Sequence, residues 1–171
     1  MNTGQIETSL KHIKSFLGVF PSNKIPSVRP TKDPQCFIAN LDPSWKPGSH
    51  WIAICVRKIK EKNVLEYFDS YGLFPPVKLD KKRWKVIRNK HQFQKLGSAV
   101  CGHYAVFFVK NRLKGKSFKS ILNTLKKQSD ADGFVRSKIK IEKVLGVGQC
   151  CSPATRDWCS VCKLWNLVQE P

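Results

Sequence analysis

The chain has 171 residues, of which 41% are hydrophobic and 11% aromatic. This length and composition suit one packed core and exclude an intrinsically disordered chain. No apolar run approaches the roughly 18 residues that a membrane-spanning helix needs, and the N-terminus lacks the apolar centre of a secretory signal. The expected setting is therefore intracellular, without a membrane partner.

Positive charge is the strongest bulk feature, with 31 Lys and Arg against 12 Asp and Glu and a formal net charge of +19. Residues 81–129 contain 14 basic residues and no acidic one. Such a surface attracts polyanions over a Debye length of about 8 Å, so DNA or another polyanion is a predicted partner; a merely solubilising surface is the alternative. Trp84 and Phe93 are candidate base-stacking groups. The predicted DNA-binding residues are Lys81, Lys82, Arg83, Lys85, Arg88 and Lys90.

The N-terminal half predicts one helix followed by strands. Thr3 is a candidate N-cap of a helix that carries Ile6, Leu10, Ile13 and Leu17 on one face and ends at Gly18. Four prolines between positions 21 and 34 then predict an extended connection. Strands are predicted at 36–40, 50–58 and 64–69, and a further one within 84–93.

The C-terminal half predicts helices. The segment from Cys101 to Gly115 is apolar nearly all round, which is typical of a helix in the middle of a domain. Ser117 can cap a second helix with apolar residues at helical spacing. The predicted fold class is α+β, a central mixed β-sheet flanked by helices, with Cys101 at the N-terminus of a buried central helix. The predicted domain spans 1–141, followed by a Cys-rich extension of uncertain order at 142–171.

Cys101 is a candidate nucleophile because the N-terminus of a helix favours a thiolate. A catalytic cysteine also needs a base and a group that orients the base. Only His50 begins a predicted strand after a glycine-containing loop, and Asp69 ends the neighbouring strand. The structural alternatives are a core thiol at Cys101 and a turn-forming carboxylate at Asp69. The remaining histidines are assigned to a surface helix, the basic run and the far side of the Cys101 helix: His12, His91 and His103.

Four motifs occur in a fixed order: His50-Trp51, then Phe68-Asp69-Ser70-Tyr71-Gly72, then Gln94, then Cys101-Gly102. Gln94 precedes the cysteine by 101 − 94 = 7 positions. This arrangement resembles the adenovirus-type cysteine endopeptidases (adenain), which share their fold with the proteases that process SUMO and other ubiquitin-like proteins. The resemblance covers roughly residues 3 to 140 and implies a cysteine-type endopeptidase that requires no cofactor for its chemistry.

The resemblance also implies a role for each site residue. His50 is the base and Asp69 orients it; the adenovirus branch commonly has Glu there, whereas Asp is usual in the ubiquitin-like-protein proteases. The Gln94 side chain and the Cys101 N–H form the oxyanion hole. Two further assignments complete the expected site: Gln92 as the alternative to Gln94, and Trp51 and Gly102 as the substrate groove.

The resemblance further implies that the substrates are precursor proteins of a DNA virus or virus-like mobile element, cleaved at Gly-containing sites. The enzyme is expected to be a monomer in the nucleus of an infected or host cell and in the virion, with DNA as an activator. The covalent peptide activator of the adenovirus branch is not expected, because Arg83 stands where its cysteine partner would be sought. The alternatives are an isopeptidase for a ubiquitin-like modifier, an acetyltransferase that reuses the triad, and a non-enzymatic nucleic-acid-binding module.

The other cysteines are expected to be reduced thiols, because the total of seven is odd and no export signal accompanies them. Cys36 and Cys55 are predicted to be inert thiols inside strands. Four C-terminal thiols are candidate ligands of a structural Zn²⁺, although adjacent cysteines strain tetrahedral coordination. These are Cys150, Cys151, Cys159 and Cys162.

Overall fold

The computed structural model describes residues 1–75 and 83–139. Within these ranges, one five-stranded sheet is combined with four α-helices and a short 3₁₀ helix at Ser22–Lys24. The strands are β1 (Phe16–Pro21), β2 (Gln35–Asn40), β3 (Trp51–Ile59), β4 (Lys62–Phe68) and β5 (Lys85–Arg88). The helices are α1 (Thr3–Leu10), α2 (Cys101–Leu113), α3 (Phe118–Lys126) and α4 (Ala131–Lys138).

The strands lie side by side in chain order, from β1 to β5. The two outer pairs are parallel and the two inner pairs are antiparallel. The sheet is therefore mixed, and the predicted α+β class is confirmed. Because Ala53 of β3 lies opposite Phe68 of β4, the residue before β3 and the residue after β4 reach the same edge of the sheet.

Helix α2 packs across one face of the sheet and forms the centre of the main core. Its apolar side chains lie on nearly every side of the helix and are buried, which confirms the predicted central helix. The Phe68 ring of β4 stacks on Phe108 of α2 at 4.7 Å with an interplanar angle of 5°. Helices α1, α3 and α4 contribute further apolar side chains to the same core, among them Ile6, Leu10, Ile121, Leu125 and Val135.

A buried ion pair joins β4 to the C-terminal end of α2. The Arg112 guanidinium donates from Nε to Glu66 Oε2 at 2.6 Å and from Nη2 to Glu66 Oε1 at 3.0 Å. Arg57 of β3 reaches the same carboxylate at 3.1 Å. Glu66 is fully buried and Arg112 nearly so, and the two parallel hydrogen bonds fix the position of the helix along the sheet.

The N-terminal region differs from the prediction in where the helix starts and ends. Helix α1 ends at Leu10, and Leu17 and Gly18, expected at the end of the helix, lie instead in β1, which pairs in parallel with β2. Pairing with a strand distant in sequence thus prevails over the local helical pattern. The N-cap is Asn2 instead of Thr3: Asn2 Oδ1 accepts from the Gln5 N–H at 2.9 Å, and Gln5 Oε1 accepts from the Asn2 N–H at 3.0 Å.

The expectation of reduced thiols at Cys36 and Cys55 is wrong. The two residues are direct cross-strand partners in β2 and β3, with their Cα atoms 4.0 Å apart, and they form a disulfide bond. Direct partners in an antiparallel pair project from the same face of the sheet, which brings their Cβ atoms close. Cys101 is the free cysteine within residues 1–75 and 83–139.

Two further expectations concern the membrane and the C-terminal region. No helix in the described ranges is long and apolar enough to cross a membrane. Helix α4 was not anticipated from the sequence. The proposed extension at 142–171 lies outside the described residues, as do residues 140 and 141 of the predicted domain.

The ion pair that joins β4 and α2 generates a prediction about stability. Glu66→Gln leaves the buried Arg112 guanidinium without its counter-charge, so the free energy of unfolding should fall by about 3–5 kcal/mol. Urea denaturation monitored by circular dichroism measures this change. Glu61→Gln is the matched control, because Glu61 forms a solvent-exposed pair with Lys58 and its loss should change stability little. Equal losses in the two variants would contradict a structural role for the buried pair.

Candidate active site

His50, Asp69 and Cys101 meet at one edge of the sheet. His50 immediately precedes β3, Asp69 immediately follows β4, and Cys101 begins α2. His50 Nε2 lies 2.8 Å from Asp69 Oδ1. The interaction of the His50 side chain with Cys101 shifts the pKa of both groups, and because Asp69 engages Nε2, the ring nitrogen left for the sulfur is Nδ1. The arrangement is a nucleophile, a base and an orienting carboxylate in contact.

The electrostatics of this site favour an ion pair between sulfur and imidazole. Burial alone would lower the pKa of His50, but its hydrogen bonds to Asp69 and Cys101 outweigh burial and raise the pKa to about 10. Burial alone would raise the pKa of Cys101. The hydrogen bond and charge of His50, helped by a backbone hydrogen bond from Trp51, instead lower that pKa below its ordinary value. Both shifts therefore favour a thiolate beside an imidazolium over the neutral pair.

Asn89 holds the peptide that carries the Asp69 carboxylate. Its side chain accepts from the Asp69 N–H at 3.0 Å and donates to the Asp69 carbonyl oxygen at 2.6 Å. Asn89 is itself buried. Asp69 Oδ1 additionally accepts from the Tyr71 N–H at 2.8 Å. Sequence reasoning missed Asn89, since a lone asparagine after a short strand carries no motif.

The turn after Asp69 places an aromatic ring over the imidazole. Gly72 has φ +72°, and a Cβ there would lie 2.9 Å from the backbone of Lys90 and His91. The turn therefore requires glycine on grounds of both conformation and space. It positions the Tyr71 ring against His50, with ring centroids 5.0 Å apart and an interplanar angle of 30°.

Gln94 is buried beside this turn, and its side-chain amide is fully engaged. Its Oε1 accepts from Ser70 Oγ at 2.7 Å. Its Nε2 donates to Tyr71 Oη at 3.1 Å and to the carbonyl oxygen of Ser98. Both amide hydrogens thus have acceptors within the protein. To donate to a substrate oxygen, Gln94 must give up its hydrogen bond to one of these acceptors. Gln92, the alternative candidate, donates to the Gln94 carbonyl oxygen at 2.9 Å.

Trp51 and Gly102 border a narrow space next to Cys101. A Cβ at Gly102 would lie 2.9 Å from Met1 Cβ and 3.3 Å from Trp51 Cδ1. The Trp51 indole N–H donates to the Met1 carbonyl oxygen at 3.0 Å. A cleft of about 480 Å³ lies between Trp51, residues 1–3 and the loop before His50. In this structure, Met1 lies where Trp51 and Gly102 come together.

The predicted DNA-binding residues occupy different environments. Lys81 and Lys82 lie outside the described residues. Lys85 and Lys90 are exposed. The Arg83 guanidinium lies 5.7 Å from the Trp84 ring centroid.

Arg88 braces the turn next to the triad. Its Nη1 lies 3.4 Å from the Gly72 carbonyl oxygen and 3.2 Å from that of Asn89, and its guanidinium lies 3.5 Å from the Phe74 ring centroid. The Arg88 guanidinium is therefore already engaged in contacts within the protein. The expectation that Phe93 stacks on bases is wrong, because its ring is buried in the core against Phe68.

The candidate Zn²⁺ ligands, Cys150, Cys151, Cys159 and Cys162, lie outside the described residues. In the ranges 1–75 and 83–139, no three His, Cys, Asp or Glu side chains converge as a metal site would require.

Comparison with known proteins finds similar proteins in African swine fever virus. No family model matches the chain. A cysteine protease of African swine fever virus (Malawi isolate) is 31% identical over 103 residues, and a SUMO-1 cysteine protease of the same virus (Kenya isolate) is 30% identical over 103 residues. Each match covers 51% of this chain and 37% of the relative. The chain therefore matches well under half the length of these curated relatives.

Solved structures share the fold. A crystal structure of an African swine fever virus protease superposes with a TM-score of 0.55 at 18% identity, covering 82% of this chain and 67% of the other. Its selenomethionine form gives 0.53 at 20% identity, covering 83% and 68%. The α+β arrangement of this chain is thus the fold of that viral protease.

The contact between His50 and Cys101 predicts a shifted pH dependence of thiol alkylation. Because the pKa of Cys101 is lowered, iodoacetamide should still alkylate it at pH values below the ordinary thiol pKa, and the rate should fall as the pH drops through the lowered pKa. In His50→Ala, only the smaller contributions of the Trp51 backbone hydrogen bond and the N-terminal charge still oppose burial. The pKa of Cys101 should therefore rise, and each unit by which it lies above the working pH leaves about tenfold less thiolate.

Mass spectrometry of the alkylated peptides measures the rate at Cys101 separately from the other thiols. His12→Ala is the control, because His12 is an exposed histidine outside the site. An alkylation profile in His50→Ala that matches the unaltered protein would show that His50 does not activate the sulfur.

Proposed function

We propose that this chain is a cysteine-type endopeptidase with Cys101 as nucleophile, His50 as proton carrier and Asp69 as the orienting carboxylate. The observation that carries the proposal is the chain of contacts from the buried Asp69 through the buried His50 to the partly exposed Cys101 at the head of α2. The names of the viral relatives, both cysteine proteases, support the same chemistry. The order and spacing of the sequence motifs support placing the enzyme with the adenovirus-type endopeptidases.

The proposed reaction uses each group in turn. The Cys101 thiolate attacks the scissile carbonyl carbon and forms a tetrahedral intermediate. His50 donates its proton to the leaving amine, the C–N bond breaks, and a thioester to Cys101 remains. His50 then takes a proton from water, whose oxygen attacks the thioester. Release of the carboxylic acid product restores the thiolate and the imidazolium.

Stabilisation of the oxyanion is assigned to two donors. The Cys101 N–H stands in the first turn of α2, where the helix itself provides no acceptor. The Gln94 amide is the second donor, after exchange of one of its present acceptors. No cofactor enters this scheme.

The proposed substrates are precursor proteins of a DNA virus or virus-like element, cut at Gly-containing sites. The close approach of Trp51 to Gly102 supports small residues next to the scissile bond. The enzyme is proposed to act as a monomer inside an infected or host cell, in the nucleus and in the virion. Deconjugation or processing of a ubiquitin-like modifier is the second candidate, favoured by the name of one relative, a SUMO-1 cysteine protease. A Gly-containing peptide assayed against a ubiquitin-like fusion protein separates the two.

The assignment of Gln94 generates a prediction about turnover. Gln94→Ala should lower kcat/KM for a Gly-containing peptide by about 10²–10³, since a lost oxyanion donor has that effect, while alkylation of Cys101 stays fast. Cys101→Ala should abolish hydrolysis. Gln92→Ala is the matched control and should retain most activity. The opposite outcome, an inactive Gln92→Ala and an active Gln94→Ala, would assign the oxyanion role to the other glutamine.

DNA binding is proposed as an accompanying property, with DNA as a candidate activator. The exposed Lys85 and Lys90 support it, as does the outer face of α3, where Lys119 and Lys127 border a surface of Ser, Thr and Asn side chains. These side chains suit phosphate contacts without base reading.

Reversal of two exposed charges tests this surface. Lys85→Glu combined with Lys90→Glu should weaken binding of a DNA duplex and reduce the dependence of affinity on salt, because fewer phosphates are neutralised. Fluorescence anisotropy at several salt concentrations measures both, in a Cys101→Ala background. Lys11→Glu with Lys14→Glu changes the net charge equally and is the control. Equal weakening by both pairs would indicate a response to net charge alone.

A further inference from the structure

A buried hydroxyl and a buried carboxylate fix the backbone on either side of Gln94. The Tyr104 hydroxyl lies 2.8 Å from Asp132 Oδ1 and 3.1 Å from the Phe93 carbonyl oxygen. Its one hydrogen is thus shared between two acceptors. Asp132 Oδ2 accepts from the Lys95 N–H at 3.4 Å. Tyr104 is fully buried and Asp132 is 7% exposed, so water competes little for these contacts.

The first part of the loop before α2 is also held from the catalytic turn. The Phe93 and Gln94 N–H groups both donate to the Ser70 carbonyl oxygen, at 2.8 and 3.1 Å. The following residues are held less: the Leu96 side chain is 67% exposed, and space around Gly97 is open. Residues 93–95 are therefore the fixed base from which the Gln94 side chain projects.

Helix α2 provides both the nucleophile and one of these anchors. Tyr104 lies three positions after Cys101, about one helical turn along the same rigid element. Burial and the neighbouring Asp132 hold the pKa of Tyr104 above its ordinary value, so the hydroxyl keeps its hydrogen throughout the working pH range. The distance between sulfur and loop is thus set by the helix.

We propose that Tyr104 and Asp132 are positioning residues that set the Gln94 amide at the right distance from the developing oxyanion. The inference rests on the proposed function, because it gives Gln94 a role in hydrolysis. The two residues touch neither substrate nor sulfur, and act through the backbone of Phe93 and Lys95.

Tyr104→Phe tests the proposal, since it removes only the hydroxyl. We expect kcat for peptide hydrolysis to fall about tenfold or more, while KM and the rate of Cys101 alkylation change less than about twofold, because only an interaction made in the transition state is weakened. Asp132→Asn is the second variant: it keeps an acceptor for Tyr104, and its amide nitrogen cannot accept from the Lys95 N–H. It should give a smaller loss of the same kind.

Asp130→Asn is the matched control. Asp130 contacts the exposed Lys95 ammonium at 3.1 Å and leaves the loop backbone untouched, so hydrolysis should be unchanged. Thermal denaturation of each variant measures stability. A kcat that recovers fully at a temperature well below the midpoint of unfolding would overturn the proposal in favour of a purely structural tie between α2 and α4.

A double variant separates this inference from the proposed function. If Tyr104 acts through Gln94, Tyr104→Phe should lower kcat little further in a Gln94→Ala background. Additive losses would overturn the inference while leaving the protease assignment intact. Absence of hydrolysis and of preferential Cys101 alkylation in the unaltered protein would instead overturn the proposed function itself.

Discussion

The buried pair of Glu66 and Arg112 is the constraint on which the arrangement of the site depends. Glu66 lies in β4, the strand that Asp69 immediately follows, and Arg112 lies in the same helix as Cys101. A shift of α2 along the sheet would separate the sulfur from the imidazole, and the two-pronged contact opposes such a shift at the far end of the helix. Burying two charges costs desolvation free energy. In return, the ion pair allows only one alignment of β4 and α2.

The elements that sequence predicted are those encoded by local patterns. The apolar runs of β3 and α2 and the shorter apolar stretch of β4 are marked in the sequence by composition alone. Strand β1 was missed because its partner, β2, lies some twenty residues away, and Leu17 equally fits a helical face. The pairing of Cys36 with Cys55 was missed for a related reason: it depends on the register between two strands, which neither strand specifies alone.

In the site, too, some residues are evident from local sequence and others depend on contacts between distant segments. Residues that take part directly in chemistry need particular side chains in a fixed order, so His50, Asp69 and Cys101 stand out in the sequence. The residues that support the site act through backbone groups. Asn89 donates a hydrogen bond to the Asp69 carbonyl oxygen, and Tyr104 donates one to the Phe93 carbonyl oxygen. Many polar residues satisfy a carbonyl or an N–H equally well, so such roles leave no motif. They become visible only when distant segments are seen together.

The disulfide between Cys36 and Cys55 has a consequence for handling the protein. A thiolate nucleophile must be kept reduced, which usually means working in the presence of a small thiol, whereas a disulfide is cleaved by the same reagent. Here the disulfide and the nucleophile differ in how easily a small thiol can reach them. The bridge is fully buried under α2, while Cys101 is partly exposed. A reductant added to protect the enzyme therefore reaches the nucleophile in the folded state and reaches the bridge only when the domain opens.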